Sequence, residues 1–385
     1  MMSEMPKVFV AGIGVLPFGK HPERSVTALA GAAAMLALQD AGVAPREIGM
    51  GIFANVLAPR LFGDSTLGQN VFAGLGINRI PVMNVENACT SGSTAFHLAC
   101  MAIRAGEADL VLTIGAEKMC LPQMGLLSSG NSDVDTLVGL VTPASFALRA
   151  RRHMQEFGTT AQQMAQVAVK NRKHAALNPQ AQFREPISLE QVLNSPLIAD
   201  PLTRLQSCPI ADGAAAVLLC SERMARRLSC KIGVRASILV SGSYENPQDL
   251  ARWETDYRCA RLAYERASLG AVDLDLVECH DAFTIAEIMH YEALGLCPPG
   301  EGGRFVESGA AALGGTTPVN VSGGLLSRGH PVAATGLAQI AEVTLQLRGQ
   351  AGARQVEGAK VGLAHCMGGD RAADTKSATI VILAS

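Results

Sequence analysis

Two passages of this chain share one layout, and that constrains its fold more than any single motif. Asn84-Val85 opens a strand-turn-helix run through Cys89 to Ile103, followed by a buried strand at 110–114. Asn320-Val321 opens another through His330 to Val343, followed by a strand at 361–364. A βαβ unit of this kind cannot bury its apolar faces alone, so a duplicated unit is the economical reading. Two such repeats would carry both strand-to-helix turns to the same side of paired sheets, where α/β active sites lie.

The remaining patterning fits that plan. Strand signals at 7–13, 52–56, 81–85 and 109–115 alternate with helix signals at 25–40 and 93–104, with Ser25 placed to cap the first helix and Gly42 to end it. Such alternation predicts a sheet covered by helices on both faces. Strand signals return at 214–219, 234–240, 274–279, 318–321, 360–366 and 378–383, with a helix over 333–347. Between the halves the texture is more polar, and Ser128-Ser129-Gly130-Asn131-Ser132-Asp133 is loop-like. The expected division is residues 1–117 with 206–230 as an N-terminal half, 118–205 as an inserted loop or lid region, and 231–385 as a C-terminal half.

Composition narrows the function. With 32 Lys+Arg against 34 Asp+Glu and no dense basic run, the chain lacks the charge to neutralise a row of phosphates, which argues against nucleic-acid binding. Its longest uncharged apolar stretch, 28–38, is far short of the roughly 18 residues that span a bilayer. No charged-then-apolar leader opens the sequence, so a cytoplasmic protein is expected. Ten cysteines are scattered with no Cys-x-x-Cys pair, which fits reduced thiols better than disulfides or structural zinc.

Four short segments can carry chemistry. Cys89, in Asn87-Ala88-Cys89-Thr90-Ser91-Gly92-Ser93, falls where a strand turns into a helix; N–H groups there would favour a thiolate and lower the thiol pKa. An unpaired cysteine is otherwise a small buried hydrophobe, the reading given to Cys100, Cys220 and Cys230. Gly323-Gly324 to Gly329-His330-Pro331 would fix His330 at a helix entry, where it can activate a thiol; the glycine spacing matches neither nucleotide motif. In Glu278-Cys279-His280-Asp281-Ala282-Phe283, His280 can donate to a developing oxyanion, and Asp281 can orient a neighbour or simply cap the helix. In His365-Cys366-Met367-Gly368-Gly369-Asp370, Cys366 can shuttle a proton and Gly368 or Gly369 can offer an N–H to a carbonyl oxygen. No set of ligands with metal spacing completes itself, so no metal is expected.

Taken in order, Cys89, the Ala211-Asp212-Gly213-Ala214-Ala215 stretch, His280-Asp281-Ala282-Phe283, Gly329-His330-Pro331 and Cys366-Met367-Gly368 resemble the thiolase superfamily over nearly the whole chain. The resemblance implies a five-layered αβαβα fold of two duplicated βαβαβ halves with an inserted loop domain, as a homodimer or dimer of dimers. It implies that Cys89 takes an acyl group from a coenzyme A thioester, that His330 activates it, and that Cys366 moves a proton at the α-carbon of the second substrate. His330 and His280 would hold one thioester oxygen, and the backbone N–H groups of Cys89 and Gly368 the other. Ala282 and Phe283 would line the pantetheine channel. No permanently bound cofactor is implied; the coenzyme A thioester is the substrate.

His280-Asp281 stands where degradative thiolases commonly carry Asn-Glu, which is similar to the branch of sterol carrier protein thiolases and lipid-transfer-like proteins. That branch widens the expected chemistry to retro-aldol cleavage of a β-hydroxyacyl-CoA, or to C-acyl transfer onto another acceptor, with a small zinc-ribbon and OB-fold partner protein. A non-catalytic acyl-CoA or lipid carrier is the alternative outside enzymes.

Overall fold

The computed structural model describes residues 7–122, 124–125, 134–243, 249–371 and 373–385, so the loop-like 128–133 stretch lies outside the described residues. Nine strands form the main sheet: β1 (Val8–Val15), β2 (Met50–Ala54), β3 (Val82–Val85), β4 (Leu110–Glu117), β5 (Gly213–Ser221), β6 (Gly233–Ser241), β7 (Leu276–Glu278), β8 (Val361–Arg371) and β9 (Asp374–Ala384). Their spatial order is β3-β2-β4-β5-β1-β6-β9-β8-β7. β1 and β6 meet at the single pair Phe9↔Gly233, so the sheet is two half-sheets sharing a hinge-like seam.

The duplication is visible in this order. In the first half the strands run third-second-fourth-fifth-first. In the second half β7, β8, β9 and β6 are the second, fourth, fifth and first strands, and the third position is held by the bridge Val277↔Val319. The strand expected at 318–321 is thus reduced to one bridge, because Asn320 turns into the left-handed region at φ 56 and leaves the ladder.

Helices complete the layers. α1 (Val26–Ala41) covers the outer face of the first half-sheet; Ser25 accepts from the Ala28 N–H at its start, and Gly42 ends it at φ 63. α2 (Ser91–Ala105) follows Cys89. In the inserted region lie α3 (Thr142–Phe157) and α4 (Ala161–Ala176). The C-terminal half adds α5 (Glu254–Ala267), α6 (Thr284–Ala293), α7 (Gly324–Arg328) and α8 (Thr335–Leu347). α2 and α8 form the middle layer, and their core joins Phe96, Ala99 and Leu337 to Val217 of one half-sheet and Val381 of the other. Separate cores lie under α1 and under α5 and α6, giving three apolar interiors between five layers.

The inserted region is more ordered than its polar texture predicts. Thr160 and Gln163 form a reciprocal capping box that starts α4, so polar residues here begin a helix rather than a loop. Asp212 anchors the region: it accepts from the Met119 and Cys120 N–H groups at 2.7 Å each and from Lys118 Nζ at 2.9 Å. Among the described residues no helix is long and apolar enough to cross a membrane.

Candidate active site

Cys89 sits in a tight elbow between β3 and α2. Ala88 takes φ 48, the Ser91 N–H donates to the Ala88 carbonyl at 3.1 Å, and the Ser91 hydroxyl donates to the same oxygen at 2.6 Å. Two glycines let the middle-layer helices close around this elbow. A Cβ on Gly92 would lie 2.4 Å from the Ala333 carbonyl, and one on Gly336 would lie 2.8 Å from Ser93. Because the helix entries touch there, the elbow that holds Cys89 and the turn that holds His330 share one cleft. Thr90 and Ser93 pair with Ser377 and Thr379 of β9 at 2.6 Å each, tying the elbow to the other half.

The four side chains singled out in the sequence converge. Donor atoms of Cys89, His280 and His330 fall within 4.8 Å of one another. The rings of His280 and His330 meet edge to face with centroids 5.1 Å apart. Cys366 Sγ lies 3.1 Å from the Cys89 carbonyl oxygen and 3.4 Å from His280 Nδ1. Its thiol proton therefore has two acceptors in reach. His280 and His330 are each 4% exposed and Cys366 is 1% exposed, so only the half-buried Cys89 presents itself toward solvent.

Hydrogen bonding fixes the state of His330. The Thr335 hydroxyl donates to the Pro331 carbonyl at 3.0 Å, so toward His330 Nδ1, 2.7 Å away, it acts as acceptor. Nδ1 thus carries the proton and Nε2 keeps its lone pair. Burial, and then the Arg328 guanidinium nearby, hold the His330 imidazole down to about 3. His280 is likewise held well below the ordinary histidine range, by burial and then by the neighbouring imidazoles.

Cys89 departs from the expectation of a lowered thiol pKa. Burial pushes it up to about 12, and Glu117 and Asp370 add to the rise, while the Gly369 N–H opposes it by donating to the sulfur. The helix terminus cannot offset removal of water from around the thiol, so the resting site holds a neutral thiol beside a neutral imidazole. Besides the N–H of Cys89 itself, the N–H that reaches the sulfur is that of Gly369, at φ 71; Gly368 packs against the elbow, where a Cβ would lie 2.7 Å from the Cys89 nitrogen. Ala282 and Phe283 are 8% and 5% exposed, and Phe283 stacks on Phe146 of α3 with centroids 4.4 Å apart. Asp281 caps a helix other than its own: its carboxylate accepts from the Leu325 and Leu326 N–H groups of α7 at 2.7 and 3.2 Å.

Sequence reasoning missed three contributors. Thr335 sets the His330 tautomer; its place five residues after the histidine was the available signal. Glu117, 1% exposed, accepts from the Val56 and Leu57 N–H groups at 3.1 Å and is pushed by burial up to about 7. Asp256 lies with His290 and His365 in a second tight cluster behind His280, and its place on a distant helix gave no local signal.

Residues 8–223 match the family model described as "Thiolase, N-terminal domain" and residues 241–384 the one described as "Thiolase C-terminal domain-like". The chain belongs to the thiolase family. It is 42% identical over 381 residues to the benzoylsuccinyl-CoA thiolase subunit BbsB of Thauera aromatica, covering 97% of each chain. It is 40% identical to an acetyl-CoA acetyltransferase of Methanothermobacter thermautotrophicus, covering 95% of this chain and 97% of that one. Human sterol carrier protein 2 is 39% identical, over 94% of this chain and 70% of that protein. Among solved structures, the Ltp2-ChsH2(DUF35) aldolase superposes with a TM-score of 0.84 at 27% identity, covering 98% of both chains.

Proposed function

We propose that this chain is an acyl-CoA C-acyltransferase of acetyl-CoA acetyltransferase type that works through an acyl-Cys89 intermediate. The observation that carries the reading is the pairing of one half-buried thiol with a neutral imidazole whose Nε2 is free, and of a second thiol, Cys366, within reach of the same cleft. In the acylation step the Cys89 proton moves to His330 Nε2 as the sulfur adds to the thioester carbonyl. The tetrahedral intermediate then expels the coenzyme A thiolate, which takes the proton back from His330. Because neither group is charged at rest, proton transfer accompanies attack rather than preceding it. His330 donates to an oxyanion only while it carries that proton; the Cys89 and Gly368 N–H groups and the His280 ring are the other donors assigned to substrate oxygens, each worth about 3 kcal/mol of barrier. In the second step Cys366 passes its own proton to His280 Nδ1, 3.4 Å away, as its sulfur takes one from the α-carbon of the acceptor acyl-CoA, and the resulting carbanion attacks the acyl-Cys89 carbonyl. The new carbon–carbon bond releases the Cys89 sulfur, which takes up the proton held on His280, and Ala282 and Phe283 flank the pantetheine arm.

A second reading is retro-aldol cleavage of a β-hydroxyacyl-CoA, favoured by the TM-score of 0.84 to an aldolase. The two part in one assay. Acyl transfer predicts coenzyme A release from acetyl-CoA that is lost in Cys89→Ser; retro-aldol chemistry predicts no such release, with cleavage of a β-hydroxyacyl-CoA that survives Cys89→Ser. Binding of acyl-CoA with neither turnover would return the carrier reading.

Self-association as a homodimer or dimer of dimers belongs to the same proposal, supported by the open outer edge of β3, where Met83 is 39% exposed. A partner protein is supported by BbsB being a subunit and by the Ltp2 aldolase being an Ltp2-ChsH2(DUF35) pair, and the small zinc-ribbon/OB-fold chain expected for this branch is proposed for that place. Sedimentation of the purified chain alone and with such a protein tests both.

A further inference from the structure

Behind His280, on the side away from Cys89, three buried side chains form a closed hydrogen-bonded set. Asp256, in the first turn of α5, is 1% exposed, and His290 of α6 and His365 of β8 are fully buried. His365 and Cys366 are consecutive on a strand, so they face opposite sides of it: the thiol into the cleft, the imidazole toward Asp256. The geometry assigns each proton but one. The His280 backbone N–H points at His365 Nδ1, 3.5 Å away, and an N–H can only donate, so His365 carries its proton on Nε2 and gives it to Asp256 Oδ1 at 3.2 Å. His290 Nε2 lies 3.1 Å from the His280 carbonyl oxygen, which can only accept, so Nε2 is protonated as well. The remaining proton lies between His290 Nδ1 and Asp256 Oδ2, 2.7 Å apart.

The Asp256 carboxyl is buried, which raises its pKa, but the His365 and His290 imidazoles beside it more than offset this and hold it well below the carboxylate range. The α5 N-terminus adds positive potential at the same place. The Trp253 ring stacks on His290 with centroids 5.3 Å apart, and the Arg149 guanidinium lies over that Trp253 ring, 4.5 Å from its centroid.

We propose that Asp256, His290 and His365 are positioning residues that clamp both peptide groups of His280 and the strand carrying Cys366, so that the His280–Cys366 pair is held for proton transfer. One carboxylate thereby fixes two imidazoles, and through them the backbone of one site histidine and the neighbour of one site cysteine. The set fills the space that a buried His-Asp-His metal site would need, but every ring nitrogen in it already has a hydrogen-bond partner.

The test has two arms, of which only the second rests on the acyl-transfer reading. In the first, wild-type protein with ¹⁵N-labelled histidine is examined by long-range ¹H–¹⁵N correlation at about pH 8, well above the ordinary histidine pKa. His365 is expected with its proton on Nε2 and a bare Nδ1, and His290 with a proton on Nε2, both patterns changing in Asp256→Asn. A proton on His365 Nδ1, a His290 Nε2 without one, or one equivalent of metal retained through purification would overturn the proposal whatever the activity. In the second arm, deuterium exchange at the acetyl-CoA methyl group and acylation of Cys89 are measured separately. Asp256→Asn is expected to slow exchange on the order of 100-fold, the scale of a misplacement of about 1 Å, and to leave acylation within a few fold. Equal exchange in both proteins, or equal loss of both steps, overturns the positioning role. Should Asp256→Asn fail to fold, Asp256→Glu, which keeps the charge and shifts the clamp, takes its place with the same expectations for the second arm. Wild type that never acylates would refute the acyl-transfer reading instead, and the first arm would still judge the clamp.

Discussion

Replacing Thr335 with valine removes one hydroxyl and almost no volume. That hydroxyl takes the His330 Nδ1 proton at 2.7 Å and gives its own to the Pro331 carbonyl at 3.0 Å, both in buried surroundings. Valine can do neither, so the Nδ1–H loses its acceptor at a cost of about 1–3 kcal/mol in stability. The larger effect is on chemistry. Without the acceptor, His330 gains by moving its proton to Nε2, which takes away the lone pair that receives the Cys89 proton. A wrong histidine tautomer costs a serine protease about 10⁴ in rate; here the tautomer is released rather than locked wrong, so a loss of about 10²–10³ in acylation is expected. Single-turnover release of coenzyme A from acetyl-CoA reads this directly, and Thr335→Ser, which restores the hydroxyl, should recover the rate to within a few fold. A folded Thr335→Val that acylates at the wild-type rate would refute the assignment of His330 as the base.

Other consequences are independent of that hydroxyl. Since Cys89 is pushed up to about 12 and His330 held down to about 3, neither titrates in the neutral range, and acylation by wild type should be flat between about pH 5.5 and 8; a limb near 6.5 would mean a thiolate–imidazolium pair at rest. The same depression has a sign for stability. Below about 6.5 the unfolded chain takes protons on His330 that the folded chain takes only near 3, so this residue's contribution weakens the fold as pH falls through that window, and His330→Gln should flatten the acid side of a denaturation series. Asp212→Ala leaves the nearly buried Lys118 ammonium without its 2.9 Å partner and the N–H groups of His21, Met119 and Cys120 without their acceptor, and should cost about 3–5 kcal/mol by urea denaturation, part of it recovered in Asp212→Ala/Lys118→Met. Gly336→Ala drives a Cβ to 2.8 Å of Ser93 and should reduce acylation while sparing bulk stability to within about 1–3 kcal/mol.

Much of this was legible in the chain because the signals were local. Ser25 and Gly42 bracket α1 as cap chemistry dictates, and buried runs such as Leu110–Glu117 announce themselves by composition. The four chemical segments were legible for the same reason: three are turns at a strand or helix end, and the fourth, around Cys366, lies within β8. Their convergence is a long-range fact, and it rests on close approaches such as Gly92 against Ala333 that no single segment displays. Where reading by texture failed, a competing effect won. Polar residues at 142–176 belong to helices, and several of them, Arg149, His153, Lys170, Asn171 and His174, are buried and paired with other elements rather than looped into solvent. The elbow at Cys89 does offer an N–H, but burial outweighs it, so position at a helix entry gave the wrong sign for the thiol. Asp256 is invisible in sequence because its partners come from two other elements, 34 and 109 residues away.

The account depends most on Cys89 becoming covalently charged by a thioester. Protein mixed with acetyl-CoA, quenched in acid and weighed intact should gain one acetyl group, mapped to the peptide containing Cys89 and absent in Cys89→Ser. An unchanged mass at full acetyl-CoA occupancy, or an acetyl group mapped to a different cysteine, would contradict it.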